Sequence, residues 1–161
     1  MGVNTMLESV VGDLLRAQRL TLATAESCTG GLIGHRLTNA PGSSDYYVGG
    51  VISYANEVKE SILHVRHETL VNYGAVSEQT ALEMAQGVRE LLGSDVSVSV
   101  TGIAGPTGGS PQKPVGLVYI ALSAANDEVC QRFVFNGDRA GNKAAAAEAA
   151  LELVISYLRQ R

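Results

Sequence analysis

The chain has 161 residues, 45% of them hydrophobic, which is the size and apolar content of one globular domain spanning residues 1–161. Its formal net charge of −4, without a cluster of Lys and Arg, argues against a nucleic-acid surface. No apolar stretch reaches the roughly 18 residues of a membrane span. Cys28 and Cys130 are expected to be free thiols, as in a cytoplasmic protein.

Apolar periodicity and turn residues predict helices and strands that alternate along the chain. Asn4 or Thr5 is expected to cap the first helix, and Ser77 the longest helix in the middle of the chain. In order, the predicted elements are a helix over 6–18, a strand over 20–23, a helix through 37, a strand over 46–54, short helices over 57–63 and 68–73, a helix over 78–92, a strand over 95–101, a hairpin of strands 115–124 and 129–135, and a helix from 139.

This order of elements predicts an α/β domain. Strands that are separated by helices favour parallel pairing, whereas a hairpin adds one antiparallel neighbour. We therefore expect a three-layer α/β/α fold. Its mixed sheet has about five strands, one of them antiparallel, and is covered by helices on both faces.

The turn between the first strand and the second helix is the first candidate site. It carries Ser27, Cys28 and Thr29 beside the carboxylate of Glu26 and ends on Gly30-Gly31. Main-chain N–H groups at a helix start attract anions, so the turn suits catalysis or anion binding. An ordinary helix cap is the alternative, because Ser, Thr and Gly are also common in such turns.

Lys59 lies in an electrostatic setting that stability alone does not explain. If Asn56 caps the helix that follows, Lys59 falls in its first turn, where the helix dipole disfavours a cation by up to about 1 kcal/mol. The same field, together with burial, favours the neutral amine that a general base requires. A solvent-facing Lys59 paired with Glu57 or Glu60 is the alternative.

Arg139 also places a cation where the helix dipole disfavours it, at the start of the last helix. It directly follows Asp138, the residue expected to cap that helix. An anionic ligand would resolve the conflict, since the planar donor fork of Arg suits phosphate or carboxylate. A surface ion pair with Asp138 or Glu128 is the alternative.

The glycine-rich loop and the histidines match no known nucleotide-binding or metal-binding motif. The glycine-rich loop 102–111 lacks both the Walker A pattern and the dinucleotide fingerprint, although its main chain could line a cleft with donors. The three histidines share no recognisable ligand spacing, so we predict no bound metal: His35, His64 and His67.

Seven blocks of sequence occur in a fixed order from about residue 5 to the C-terminus. They are Thr24-Ala25-Glu26-Ser27-Cys28-Thr29-Gly30-Gly31, Gly42-Ser43-Ser44, Tyr54-Ala55-Asn56-Glu57-Val58-Lys59, Gly74-Ala75-Val76-Ser77, Ser99-Val100-Thr101-Gly102-Ile103-Ala104-Gly105-Pro106, Lys113-Pro114-Val115-Gly116 and Gly137-Asp138-Arg139. Together they resemble the CinA C-terminal domain family, also called nicotinamide mononucleotide deamidases.

The resemblance implies a C–N hydrolase that converts nicotinamide mononucleotide to nicotinate mononucleotide and ammonia, in pyridine nucleotide recycling, without a metal or cofactor. It further implies a serine–lysine amidase in which Ser44 is the nucleophile, Lys59 the base and Tyr54 an assisting hydroxyl. Arg139 would bind the substrate phosphate or the developing oxyanion. The implied substrate-binding residues are Ser27, Cys28, Thr29, Gly30, Gly31, Thr101, Gly102, Gly105 and Arg139.

The sequence departs from the family pattern after Arg139. Relatives often carry a further arginine a few residues on, where this chain has Ala140-Gly141-Asn142-Lys143. Lys143 could substitute only in part, because it lacks the bidentate fork. Many relatives also have an additional N-terminal nucleotide-processing domain that this sequence lacks, so we expect a stand-alone form. The resemblance also implies a homo-oligomer.

Two other functions stay open on the sequence. One is a non-catalytic module for nucleotide binding or partner interaction, linked to competence or the DNA-damage response; tight binding without product would favour it. The other is an acyl hydrolase with Cys28 as nucleophile, which thiol alkylation would inactivate.

Overall fold

The computed structural model describes residues 6–161, so the expected cap at Asn4 or Thr5 lies outside the described residues. Over this range the chain forms α1 (Leu7–Gln18), β1 (Leu22–Glu26), α2 (Leu32–Asn39), β2 (Tyr47–Ile52), α3 (Asn56–Ser61), α4 (His67–Tyr73), α5 (Glu78–Leu92), β3 (Val96–Gly102), β4 (Leu117–Ala124), β5 (Glu128–Val134) and α6 (Arg139–Arg159). A 3-10 turn, Ser43–Asp45, precedes β2.

The five strands form one sheet in the order β2-β1-β3-β4-β5, as expected for an α/β fold. β1 pairs in parallel with both β2 and β3, whereas β4 pairs antiparallel with both β3 and β5. Two of the four pairings are therefore antiparallel. β4 alone runs against the other strands, which agrees with the expected single antiparallel strand. The hairpin indicated one antiparallel neighbour, but β4 has two because it lies inside the sheet.

Helices cover both faces of the sheet, and the sheet divides the hydrophobic core into two layers. One layer packs α1, α2 and α6 against the sheet, with Leu15, Ile33 and Leu151 fully buried. The other layer packs α5 against the opposite face, through Met84 and Val88. The three-layer arrangement follows from the apolar stripe on each of these helices, which needs an apolar surface to cover it.

The small polar face of β3 is buried beneath α5. The hydroxyl groups of Ser97 and Ser99 donate to the main-chain oxygens of Ala85 (2.5 Å) and Ala81 (2.6 Å). Each serine thereby satisfies its hydroxyl without water. The alternation of valine and serine in this strand therefore reflects a tight contact with a helix.

The strand directions decide where a site can form. β1, β2 and β3 run in parallel, and the register aligns Glu26 with Ile52 and with Val100 at their carboxyl ends. Residues that follow parallel strands converge at one edge of a sheet, where ligands of open α/β folds bind. None of the helices within residues 6–161 has the length and apolar character needed to cross a membrane.

Candidate functional site

A cavity of about 260 Å³ opens at the edge where the parallel strands end. Its lining comes from widely separated parts of the chain and contains no acidic side chain. The lining residues are Ser27, Cys28, Tyr54, Asn56, Lys59, Ala75, Val76, Thr101, Gly102, Ile103, Ala104, Gly105, Thr107, Gly108 and Arg139.

Lys59 lies at the base of this cavity, with 1% of its surface exposed. Its Nζ is 3.0 Å from the Oγ of Ser27, and it donates to the main-chain oxygens of Ser53 (2.7 Å) and Tyr54 (3.2 Å). Three oxygens thus match the three donors of the protonated ammonium group. No carboxylate within residues 6–161 forms an ion pair with it, and Glu60 instead bonds His67.

Burial lowers the pKa of the Lys59 amine, because the charged form loses its hydration. The helix that carries Lys59 is six residues long and begins after Ala55, which places Lys59 in its last turn. The expectation that Lys59 opposes the dipole in the first turn is therefore wrong, because the last turn of a helix favours a cation. The predicted direction of the pKa shift is confirmed. Its main cause is burial.

Ser27 directly follows β1, and its backbone is fixed by a hydrogen bond from its N–H to the oxygen of Val100 (3.0 Å). The next turn is fixed by the buried carboxylate of Glu26, which accepts from the Thr29 hydroxyl (2.7 Å) and from the N–H groups of Ile33 (2.8 Å) and Gly34 (3.0 Å). Glu26 therefore neutralises the start of α2, the position where we expected a ligand anion. The Thr29 hydroxyl bonds the same carboxylate and so helps to hold it at the start of the helix.

Cys28 lies beside Ser27 in the cavity wall and is 7% exposed. Burial raises the pKa of its thiol to about 11. A cysteine nucleophile attacks as the thiolate, which this environment disfavours at neutral pH. The arrangement therefore argues against the alternative in which Cys28 is the nucleophile.

Tyr54 and Arg139 face each other at the mouth of the cavity. Arg139 donates through Nη2 to the Tyr54 hydroxyl (3.3 Å) and through Nη1 to the main-chain oxygen of Gly105 (2.7 Å). No carboxylate among the described residues pairs with Arg139, so the expected alternative of a surface ion pair is wrong. The Tyr54 hydroxyl lies with Arg139, at the entrance, while its main-chain oxygen contacts Lys59.

Thr101, Gly102 and Gly105, for which the resemblance implied substrate binding, all line the cavity. The hydroxyl of Thr101 donates to the oxygen of Ala75 (2.7 Å) and so ties β3 to the loop after α4. A Cβ at Gly102 would lie 2.6 Å from the side chain of Val118, so this position admits only glycine without a shift in β4.

Gly30 and Gly31 lie at the start of α2, outside the cavity lining. Both have a positive φ (61° and 102°), which explains the glycines conformationally. A Cβ at Gly30 would lie 3.8 Å from the Nζ of Lys143, so this cation from α6 is close to the turn.

Ser44 lies far from the other site residues. It is exposed in the 3-10 turn that precedes β2, whereas Lys59 follows β2. The six residues of β2 separate the two by about 20 Å, at roughly 3.3 Å per residue. The pairing of Ser44 with Lys59 is therefore wrong, and the hydroxyl beside Lys59 is that of Ser27.

Asn142 is a site residue that sequence reasoning missed. It is 1% exposed in the first turns of α6 and donates from Nδ2 to the main-chain oxygen of Ala104 (3.0 Å) in the cavity wall. Its Oδ1 accepts from the N–H of Gly137 (2.9 Å). The available signal was an asparagine in an otherwise alanine-rich buried stretch, since a buried amide needs specific partners.

The sequence matches the family model of the CinA C-terminal domain over residues 4–158. The chain belongs to this family. A CinA-like protein from Salinibacter ruber is 56% identical over 146 residues, which cover 91% of this chain and 35% of that protein. The chain thus spans about a third of the length of that curated relative.

Solved structures of the CinA superfamily have the same fold. A CinA superfamily protein from Klebsiella pneumoniae gives a TM-score of 0.93 at 35% identity, covering 96% of this chain and 97% of that one. The competence/damage inducible protein CihA from Agrobacterium tumefaciens gives 0.90 at 39% identity, with 99% of each chain covered. The family resemblance seen in the sequence is confirmed.

The side chains of this CinA domain provide no evident metal site within residues 6–161, where no three His, Cys, Asp or Glu residues are grouped to hold an ion. The cavity itself presents a buried amine, a serine hydroxyl and an arginine at the entrance.

Proposed function

We propose that this CinA-family chain is an amidohydrolase that converts nicotinamide mononucleotide to nicotinate mononucleotide and ammonia by a metal-independent serine–lysine mechanism. Ser27 takes the role of nucleophile that the family resemblance implied for Ser44. The observation that carries the proposal is the 3.0 Å contact between Lys59 Nζ and Ser27 Oγ inside a cavity without acidic side chains. Burial that lowers the pKa of Lys59 supports its role as general base.

The proposed reaction has two steps. Ser27 Oγ attacks the carboxamide carbon while neutral Lys59 takes the hydroxyl proton; Lys59 then gives this proton to the amide nitrogen, the C–N bond breaks and ammonia leaves. In the second step Lys59 takes a proton from water, whose oxygen attacks the acyl ester. The C–O bond to Ser27 breaks, protonated Lys59 returns its proton to the serine oxygen, and the product acid releases its own proton to solvent as the carboxylate.

Charge supports a substrate that carries an anionic group. Arg139 lies at the mouth and Lys59 at the base of a cavity that no carboxylate lines. Lys143 adds a second cation near the Gly30 turn, whereas Lys59 is uncharged in its active form. A phosphate monoester at one end and a neutral carboxamide at the other match this distribution, since Arg binds phosphate through its donor fork.

Ammonia release from nicotinamide mononucleotide tests the proposal. We expect Ser27→Ala and Lys59→Met to lose turnover by about 10³-fold or more, because each removes one half of a unit that acts together. Met replaces the buried lysine with an apolar side chain of similar length. Nicotinamide riboside, which lacks the phosphate, should be a much poorer substrate.

Ser44→Ala is the matched control, because it also removes one serine hydroxyl of this chain but lies at the other edge of the sheet. It should keep the wild-type rate. Full activity in Ser27→Ala would overturn the assignment, and tight binding by the wild-type chain without ammonia release would instead favour the non-catalytic binding module.

A further inference from the structure

The peptide between Ala104 and Gly105 is held in the cavity wall by the first turns of α6. Asn142 donates to the oxygen of Ala104 (3.0 Å), and Arg139 donates to the oxygen of Gly105 (2.7 Å). Asn142 is itself fixed, because its Oδ1 accepts from the Gly137 N–H (2.9 Å). Two consecutive carbonyl groups are thereby bound to donors of α6.

These bonds determine the direction of the Gly105 N–H. The Ala104–Gly105 peptide is trans, and in a planar trans peptide the N–H points opposite to the C=O. The Gly105 N–H therefore points away from Asn142. No acceptor among the described residues pairs with it, and Gly105 lines the cavity with Ser27 and Lys59. A main-chain donor at a polar cavity is free to bind a ligand oxygen.

The residue type at position 105 fits a main chain that approaches a ligand. Gly105 has a φ of +84°, a conformation that favours glycine. A Cβ at this position would also overlap the side chain of Val115. The wall of the cavity is therefore formed here by main-chain atoms, which stay in place when the side chains around them move.

We propose that the Gly105 N–H donates to the carbonyl oxygen of the scissile carboxamide and that Asn142 is the positioning residue that aims it. This inference rests on the proposed amidase function. A donor held in place before the reaction stabilises the negative charge that develops on this oxygen as Ser27 attacks, and such a donor accounts for about 10²–10³ in rate in other hydrolases. Asn142 acts through Gly105 and contacts no substrate.

Isotope labelling can isolate this one N–H group. The sequence contains two Ala–Gly pairs, Ala104-Gly105 and Ala140-Gly141, so labelling with carbonyl-¹³C alanine and ¹⁵N glycine leaves two correlated amide resonances. Gly141 is an internal control, because its N–H already donates to Asp138 Oδ1 (2.7 Å). The Ser27→Ala protein keeps the added amide intact during the measurement.

Saturating nicotinamide mononucleotide should move the Gly105 amide proton downfield and leave Gly141 in place. In a protein that also carries Asn142→Asp the Gly105 shift should disappear. Aspartate keeps an oxygen that can accept from Gly137 but lacks the donor to Ala104. A Gly105 resonance that does not move at saturating ligand overturns the inference.

Kinetics give a readout that a purely structural role would not change. Asn142→Asp in the otherwise wild-type chain should lower kcat about 10-fold or more, with little change in KM. The displaced Gly105 N–H would stabilise the transition state less, while substrate binding would change little. The rate preference for the carboxamide over the matching thioamide should shrink as well, since sulfur accepts hydrogen bonds weakly. Asn126→Asp, in the exposed hairpin at the opposite edge, is the matched control and should keep both values.

The two proposals fail differently. A Gly105 shift without any ammonia release by the wild-type chain would overturn the amidase function and leave Gly105 as the donor to a bound carbonyl. Ammonia release with an unmoved Gly105 resonance would overturn the donor role of Gly105 and leave the amidase in place. Ammonia release with an unchanged thioamide preference in Asn142→Asp would overturn the positioning role of Asn142 and likewise leave the amidase in place.

Discussion

Lys59 illustrates at the scale of one residue how function and stability oppose each other. The amine is removed from water without an acidic partner, and its only described partners are neutral oxygens of Ser27, Ser53 and Tyr54. Charged groups in such surroundings are costly, and the usual response is a shift of pKa toward the neutral form. The same cost makes Lys59 a usable base.

The pH dependence of turnover follows from this shift. The neutral amine is the active form, so we expect kcat/KM to rise with pH and to level off at an inflection below the ordinary lysine pKa of about 10.4. The unfolded chain binds the Lys59 proton more tightly, so the contribution of this residue to stability also grows as pH rises through that range. A rate profile measured from about pH 6 to pH 11 whose only inflection lies at the ordinary value would contradict this prediction.

Cys28 should respond to pH in a different range from Lys59. Because burial raises its pKa to about 11, its thiolate fraction at neutral pH is very small. Alkylation by iodoacetamide, followed by mass spectrometry of the folded chain, should be slow at neutral pH and should accelerate up to that value. Rapid alkylation at neutral pH, accompanied by loss of ammonia release, would restore Cys28 as a candidate nucleophile.

At the scale of the elements, one arginine joins three helices. Arg36 of α2 bonds Glu8 of α1 through Nε (2.6 Å) and contacts Glu148 of α6 through Nη1. The Arg36 guanidinium lowers the pKa of the Glu8 carboxyl, whose Oε2 is buried without a partner. Glu8 therefore depends on Arg36 to remain charged inside the fold.

Replacing Arg36 should lower the free energy of unfolding far more than replacing an exposed arginine. Arg36→Met leaves the Glu8 carboxylate buried and unpaired, and we expect a loss of about 3 kcal/mol in the free energy of unfolding. Arg66→Met, the control, removes an ion pair with Glu83 on a side chain that is 68% exposed, and should cost no more than about 1 kcal/mol. Denaturant unfolding of both variants measures the difference.

Acid provides a second check on the same pair. The folded-state pKa of Glu8 is lowered, so its stabilising contribution is present above the ordinary glutamate pKa of about 4.3 and is lost as pH falls through the folded value. The difference in the free energy of unfolding between wild type and Arg36→Met should therefore become smaller in acid, because the unpaired Glu8 carboxylate is then protonated and neutral. A gap that stays constant with pH would show that Arg36 acts by packing alone.

The individual elements were largely predictable because their signals are local. Ser77 and Asp138, both expected as caps, accept from the N–H groups of Thr80 (3.2 Å) and Gly141 (2.7 Å). Asn56 was assigned the cap of α3, but Ala55 holds that position, and no side chain caps the helix. A six-residue helix gives too few residues of pattern to locate its start.

At the scale of the whole molecule, the wrong assignment of Ser44 as nucleophile shows that local sequence patterns do not reveal which distant residues the sheet brings together. Ser27 and Lys59 are 32 positions apart, and their contact exists because β1 and β2 are parallel neighbours. Both residues follow their strands, whereas Ser44 precedes β2. The rule that ligands bind at the carboxyl ends of parallel strands would have favoured Ser27 from the predicted order of elements alone. The role of Asn142 depends on a contact 38 positions away, which no periodicity predicts.

The position of α6 in the chain has a consequence for biosynthesis. Arg139 and Asn142, which bind the cavity wall at Gly105 and Ala104, lie in the first turns of the helix that follows all other described elements. A nascent chain emerging from the ribosome could therefore form most of the sheet while its cavity still lacked these two anchors. The activity that we propose depends on both anchors, so we expect it to begin only after α6 has folded against the cavity wall.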